Sequence, residues 1–163
     1  MARALVLLGG NEAKTESLIE LAVEKIDLEI GGIVRRSSLY ESAPWGFESD
    51  SNFLNCVIEV YIENIEPQSL LNKVLGIEKE LGRKRQAAGG YLSRPIDIDI
   101  LFIDNMVIET EKLRLPHPRL HLRRFTLLPL NEYWADWYHP VLGKTLSELL
   151  NECEDRGFVQ RLS

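Results

Sequence analysis

Residues 96–103 read Ile-Asp-Ile-Asp-Ile-Leu-Phe-Ile, and no other stretch of the chain is as constraining. Strict alternation is the period of a half-buried β-strand, whose successive side chains point to opposite faces. Ile96, Ile98 and Ile100 then enter a core, while Asp97 and Asp99 stand on the other face, about 6.5–7 Å apart at Cα. Aspartate is depleted in strands, and neighbouring carboxylates repel. A pair of Mg²⁺ ions would remove that repulsion, since two-metal sites hold their ions about 3.5–4 Å apart. On spacing alone, a solvated polar face explains the pair equally well, so its surroundings must decide.

Those surroundings are cationic. Residues 83–95 carry Arg83, Lys84, Arg85 and Arg94 and no acid; residues 112–124 carry Lys112, Arg114, Arg119, Arg123 and Arg124 and no acid. Asp97, Asp99 and Asp104 lie between the two windows. Cationic arms around an acidic strand suit a polyanion with a metal, because arginine forks bind phosphate oxygens bidentately. The chain as a whole is acidic, with 25 acids against 19 Lys and Arg and a net charge of −6, which argues against a nucleic-acid binder.

The remaining pattern predicts one mixed domain over residues 1–163. Ala4–Leu8 reads as a buried strand ended by a tight turn at Gly9-Gly10-Asn11. A helix is expected over Thr15–Ile30, with Leu18, Ala22, Ile26 and Ile30 as its stripe and Leu21 and Val23 beside it. Ile33–Glu41 looks extended, Pro44–Asn52 is a loop, and Phe53–Ile65 is a strand. Pro67 opens a helix to Leu81, with Leu70, Leu71, Val74, Ile77, Glu78 and Leu81 in register; Gly82 closes it. Asp104-Asn105 predicts a turn into Met106–Ile108, a short helix is expected near 119–133 and another over Thr145–Cys153, and Phe158–Leu162 suits a last strand. The order β-α-β-β-α-β with C-terminal additions predicts an α+β, ferredoxin-like core, with the helices on one face of the sheet. Two cysteines far apart, Cys56 and Cys153, fit a reducing compartment. With no early apolar run long enough for a leader or a membrane helix, a cytoplasmic protein without a membrane partner is expected.

Three superficial motifs fail on inspection. Gly143-Lys144-Thr145 ends like a phosphate loop, but Tyr138 stands where the first glycine belongs. Gly9-Gly10-Asn11 is not the G-x-G-x-x-G dinucleotide fingerprint, since Asn11 stands at its second glycine and Lys14 at its third. His117 and His121 are four apart, but Pro118 replaces the glutamate that a zinc peptidase needs.

A set of longer segments carries more information. They are Leu8-Gly9-Gly10-Asn11; Ser38-Leu39-Tyr40-Glu41-Ser42-Ala43-Pro44-Trp45-Gly46; Phe53-Leu54-Asn55; Ile77-Glu78 with Leu81-Gly82-Arg83; Ser93-Arg94-Pro95 running into the acidic strand; and Pro116-His117-Pro118-Arg119-Leu120-His121 through Arg124-Phe125 to Leu128-Pro129-Leu130. In these segments the chain resembles the 6-hydroxymethyl-7,8-dihydropterin pyrophosphokinase family of folate biosynthesis. The resemblance implies transfer of the β,γ-pyrophosphoryl group of ATP to the pterin hydroxymethyl oxygen, with ATP as co-substrate and release of AMP. It implies that Asp97 and Asp99 bind two Mg²⁺ ions and that Arg83 and Arg94 join them in catalysis. It places Glu78, Arg85, Ile100, His117 and Arg123 on the ATP side. Ser42, Ala43, Trp45, Phe53, Asn55 and Phe125 would form the pterin pocket, in a chain expected to act as a monomer. The chemistry of these side chains agrees, since two aromatic faces suit a flat bicycle and an amide can read its donor and acceptor edge.

The chain departs from its relatives in the loop before Arg94. Tyr91 stands near the place of a family tryptophan, and a neighbouring arginine is missing, which raises the question of how that loop closes. Two rival readings have distinct signatures. A ferredoxin-like RNA reader needs an aromatic and basic central strand, which the acidic strand contradicts. Another Mg²⁺-dependent phosphoryl or nucleotidyl transferase would release ADP or pyrophosphate rather than AMP.

Overall fold

The computed structural model describes residues 1–44, 51–82 and 95–162. Its main element is a six-stranded antiparallel sheet built from β1 (Ala2–Gly10), β2 (Ile33–Arg36), β3 (Tyr40–Ser42), β4 (Phe53–Ile62), β5 (Asp97–Ile103) and β10 (Val159–Arg161). The order across the sheet is β10-β3-β4-β1-β5, with β2 also paired to β4. The extended stretch expected over 33–41 is thus interrupted. Ser37 breaks it, its hydroxyl accepting from the Val57 amide at 2.9 Å and its own amide donating to the Val57 carbonyl.

Helices α1 (Thr15–Glu29) and α2 (Pro67–Glu80) cover one face. That face is wholly apolar, built from Ala4, Val6 and Leu8 of β1, Cys56, Ile58 and Val60 of β4, and Ile98 and Ile100 of β5. The expected stripe of α1 is buried at Ala22, Ile26 and Ile30 and differs only in its first turns. Ile19, with Thr15, Ala22 and Ile26, is buried, whereas Leu18 is half-buried and Leu21 exposed. The polar Thr15 turns inward because its hydroxyl donates to the Pro95 carbonyl at 3.0 Å. Helix α2 ends where Gly82 adopts φ +101°, a left-handed conformation that only glycine takes readily.

The short hairpin of β6 (Ile108–Glu109) and β7 (Arg114–Leu115) follows, with a cis Leu115–Pro116 peptide, and then a 3₁₀ turn over Leu120–Leu122. Helix α3 (Arg124–Tyr133), the hairpin of β8 (Tyr138–His139) and β9 (Lys144–Thr145), and α4 (Leu146–Glu152) come next. Thr145 and Glu148 form a reciprocal capping box at the start of α4. The two core helices thus share one face as expected, while the C-terminal additions α3 and α4 pack on the second face, against Leu5, Leu7, Val57, Leu101 and Phe102. Two buried carboxylates pin α3 there. Glu59 accepts from the Trp134 indole at 2.7 Å and from Arg3 at 3.2 Å. Glu132 accepts from the Tyr40 hydroxyl at 2.8 Å and the Ser38 amide at 3.0 Å. A buried carboxylate is tolerable only when so many donors meet it.

Gly9 and Gly10 do not form the expected turn. They continue β1, and Gly9 pairs with Asn55 on one side and Asp97 on the other.

Candidate active site

Helices α3 and α4 leave part of the second face open, at the ends of β1, β4 and β5. The strand registers determine what is displayed there. Asn55, Gly9 and Asp97 form one row across the sheet, and Val57, Leu7 and Asp99 form the next. Over these rows opens a cleft of about 550 Å³, partly open to solvent. It is lined by Leu7, Gly9, Ser42, Ala43, Phe53, Asn55, Asp97, Asp99, Arg123 and Phe125.

Five of the six residues expected around a pterin are therefore together: Ser42, Ala43, Phe53, Asn55 and Phe125. The sixth, Trp45, lies outside the described residues. Asn55 and Ser42 are buried, and the Asn55 amide donates to the Ser42 hydroxyl at 2.8 Å. An amide so held presents a fixed donor and acceptor pattern rather than a rotating one. Phe53 enters from β4 and Phe125 from the first turn of α3. The Arg123 guanidinium lies 5.6 Å from the Phe125 ring centroid, within cation–π range.

Local pattern reads Gly9 as a turn former, and the motif segment that contains it gives it no role. Its role is close approach, since a Cβ there would lie 2.7 Å from Asn55 Oδ1 and 2.9 Å from the Leu54 carbonyl. Leu7, the lining residue outside the motif segments, belongs to an ordinary apolar strand pattern and carries no signal of its own.

The entrance to β5 is held from the helical side. Thr15 bonds the Pro95 carbonyl, and the buried Glu78 carboxylate accepts from the Ile98 amide at 2.6 Å. These contacts fix the strand that carries Asp97 and Asp99. Glu78 and Ile100 do not line the cleft. The Ile100 side chain is in the core, so only its backbone is available to a ligand. By strand alternation its amide lies on the same outer edge as that of Ile98, the edge Glu78 reaches. His117 reaches that edge too, its amide donating to the Leu101 carbonyl at 2.9 Å. The residues expected on the ATP side are thus spread along the open edge of β5, with Arg123 inside the cleft. Arg83, Arg85, Arg94 and Tyr91 lie outside the described residues.

Burial, followed by the positive charges of Arg123 and Arg119, lowers the pKa of His117 to about 4. The imidazole is therefore neutral at physiological pH, and its Nδ1 accepts from the Arg119 amide at 3.2 Å. Among the described residues no cluster of three His, Cys, Asp or Glu side chains could hold a metal by itself. Two carboxylates in an open cleft nevertheless suit Mg²⁺, which keeps waters and takes substrate phosphates to complete its octahedron. The donor set fits that ion and does not fit zinc, which prefers nitrogen and sulfur.

Comparison with known proteins follows the same residues. Residues 5–135 match the family model described as 7,8-dihydro-6-hydroxymethylpterin-pyrophosphokinase. The chain is 41% identical over 152 residues to the 2-amino-4-hydroxy-6-hydroxymethyldihydropteridine pyrophosphokinase of Aquifex aeolicus, covering 93% of this chain and 92% of that one. It is 40% identical over 142 residues to the enzyme of the same name from Porphyromonas gingivalis, covering 86% and 95%. Among solved structures, wild-type Plasmodium falciparum HPPK-DHPS crystallised with pteroate superposes with a TM-score of 0.76 at 18% identity. That match covers 93% of this chain and 44% of the solved chain, so this chain spans less than half of it and the likeness concerns the fold.

Proposed function

The chain belongs to the 7,8-dihydro-6-hydroxymethylpterin-pyrophosphokinase family, and on that premise we propose that it transfers pyrophosphate from ATP to 6-hydroxymethyl-7,8-dihydropterin in folate biosynthesis. The pterin hydroxymethyl oxygen attacks the β-phosphorus. The new oxygen–phosphorus bond forms as the bond from Pβ to the α,β-bridging oxygen breaks, AMP leaves and the hydroxyl proton is lost. The observation that carries this reading is the meeting in one cleft of the Asp97–Asp99 pair with Ser42, Asn55, Phe53 and Phe125.

In this reading Phe53 and Phe125 hold the two faces of the pterin, and Asn55 with Ser42 reads its edge. ATP lies along the outer edge of β5, near Glu78, the Ile100 backbone and His117, with its phosphates turned over the strand toward Arg123. Arg83, Arg85 and Arg94 are assigned to the phosphates by the motif match. Asp97 and Asp99 would hold two Mg²⁺ ions, which supply charge stabilisation to the transferring phosphoryl oxygens. The residues of the cleft orient the two substrates, so that an encounter becomes an intramolecular approach.

The fold reading is that β1, α1, β2 with β3, β4, α2 and β5 make a ferredoxin-like βαββαβ core, with β2 and β3 counted as one interrupted strand. The observed sheet order supports it. Residues 1–163 are taken as one pyrophosphokinase domain, a cytoplasmic monomer with neither nucleic acid nor membrane as partner. Two buried free cysteines suit a reducing compartment.

The test is to incubate the protein with ATP, Mg²⁺ and 6-hydroxymethyl-7,8-dihydropterin and to identify the nucleotide product. AMP in equal amount to pyrophosphorylated pterin is expected. ADP, or pyrophosphate with an adenylylated pterin, would replace this reaction with another phosphoryl or nucleotidyl transfer. Omitting Mg²⁺ from the same assay should abolish turnover.

A further inference from the structure

We propose that the segment Asp155–Arg161, which lies beyond the family model's match to residues 5–135, is a clasp that sets the width of the cleft, with Asp155 as a positioning residue for pterin binding. The proposal rests on the pterin assignment of that cleft.

The two walls of the cleft come from separate elements. Ser42 and Ala43 stand at the end of β3, a strand of three residues near the sheet edge. Arg123 and Phe125 stand at the start of α3, on the other side. Both walls bond to the same C-terminal segment. The Ala43 amide donates to the Phe158 carbonyl at 3.1 Å, and β10 continues the pairing through Val159 with Ser42 and Arg161 with Tyr40. On the opposite wall the Arg124 amide donates to Asp155 Oδ2 at 3.0 Å, and the Arg124 guanidinium donates to the Gly157 carbonyl at 3.1 Å.

Asp155 joins these two sets of bonds. Its second oxygen accepts from the Gly157 amide at 2.8 Å, so one carboxylate links the first turn of α3 to the chain entering β10. The turn is tight, and a Cβ on Gly157 would lie 3.1 Å from Asp155 Oδ1. The first turn of a helix has amides without intrahelical partners and a partial positive charge, and a carboxylate answers both. Arg123, the residue at the cap position, provides no side-chain cap of its own. Asp155 supplies that function from far along the sequence, and in doing so ties Phe125 to the wall bearing Ser42 and Ala43.

Farther along, α3 is held by other contacts: Leu127 and Leu130 in the core, and Trp134 on Glu59. Loss of the clasp should therefore free the start of the helix without undocking the rest. Stacking on a flat ring depends on the separation of the two aromatic faces, and small misplacements are costly. The predicted defect falls mainly on the pterin and only weakly on ATP, because Glu78, Ile100 and His117 lie along β5 and only Arg123, of the described residues expected around ATP, stands at the clasped helix start.

The experiment compares the full-length parent with Asp155→Ala and Asp155→Asn. Binding of 6-hydroxymethylpterin and of a non-hydrolysable ATP analogue is measured by calorimetry, alongside KM, kcat and Tm. For Asp155→Ala, pterin Kd and KM should rise about tenfold, the scale of one charge-assisted hydrogen bond. ATP affinity, and kcat at saturating pterin, should stay within a few-fold of the parent. Asp155→Asn should fall between the two, because one side-chain oxygen still accepts while the amide nitrogen cannot. If Asp155→Ala does not fold, Asp155→Asn and Arg124→Met carry the same test. Unchanged pterin affinity in the folded variants overturns the clasp, and so does an equal loss for both ligands with a large fall in Tm. A parent that binds the ATP analogue but not the pterin overturns the pterin assignment itself, and the clasp with it.

Discussion

On β5, Ile98 and Ile100 are sealed beneath α1 and α2, whereas Asp97 and Asp99, each one residue away, open into the cleft. The same division runs through β1 and β4, where Leu8 and Cys56 face the helices while Gly9 and Asn55 face the cleft. One face of the sheet is therefore closed and apolar, and the other is half-closed and polar at its open end. Alternation lets a single strand serve both, because its rigid, helix-backed side holds the half-buried carboxylates in place. The two faces should fail differently when mutated. Damage to the open one should abolish chemistry in a folded protein, and damage to the closed one should destabilise a protein that remains competent while folded.

The largest expected effect is on the open face. Asp97→Ala or Asp99→Ala should lower turnover by about 10³-fold or more, since each removes a ligand for charge stabilisation of the transferring group. Circular dichroism and Tm should match the parent; activity within tenfold of it would remove the two-metal assignment. On the closed face, Ile58→Ala should cost about 2–5 kcal/mol of stability, the usual range for a buried large-to-small change. Denaturant titration measures that loss, and kcat per folded molecule should change little. A comparable fall in kcat would show that the two faces are not separable.

Phe125→Ala tests the open face more gently. By analogy with aromatic stacking on nucleobases, pterin binding should weaken by about 1–3 kcal/mol with little change for ATP. Equal losses for both would indicate a general packing defect around α3. The smallest effect concerns the margin between the faces, at His117. Its folded pKa of about 4 is below the ordinary value of 6.5. The unfolded chain therefore binds the proton more readily, and stability is complete above pH 6.5 and declines as pH falls toward 4. His117→Asn should remove that part of the acid sensitivity, on the order of 2 kcal/mol between pH 7 and 4. Denaturation curves at several pH values would detect it, and identical pH profiles for parent and variant would show that the imidazole does not titrate so low.

Much of the closed face is legible in the sequence, since apolar periodicity reports what is removed from water. Ile98, Ile58, Val74 and Ile26 all follow from that periodicity, and all are buried. In α1 the departure is confined to the first turns, where Ile19 rather than Leu18 is buried and Thr15 turns inward to bond Pro95 across 80 residues, a partner no local pattern encodes. The placement of α3 and α4 on the second face is likewise not legible. Their anchors, Glu59 and Glu132, look like solvated charges in the sequence and become buried acceptors only when distant donors converge.

The sequence by itself supplied the candidates for the chemistry. The alternating acidic strand between two cationic windows singles out Asp97 and Asp99, and the family resemblance carried by the motif segments implies Phe53, Asn55 and Phe125. Only the tertiary structure decided how these residues meet. Antiparallel register sets Asn55 and Asp97 on either side of Gly9, close approach requires that glycine, and the C-terminal segment bonds both the end of β3 and the start of α3. Pairing and packing between residues tens of positions apart depend on which distant donor or surface each group finds when the chain closes, and local periodicity carries no record of that choice.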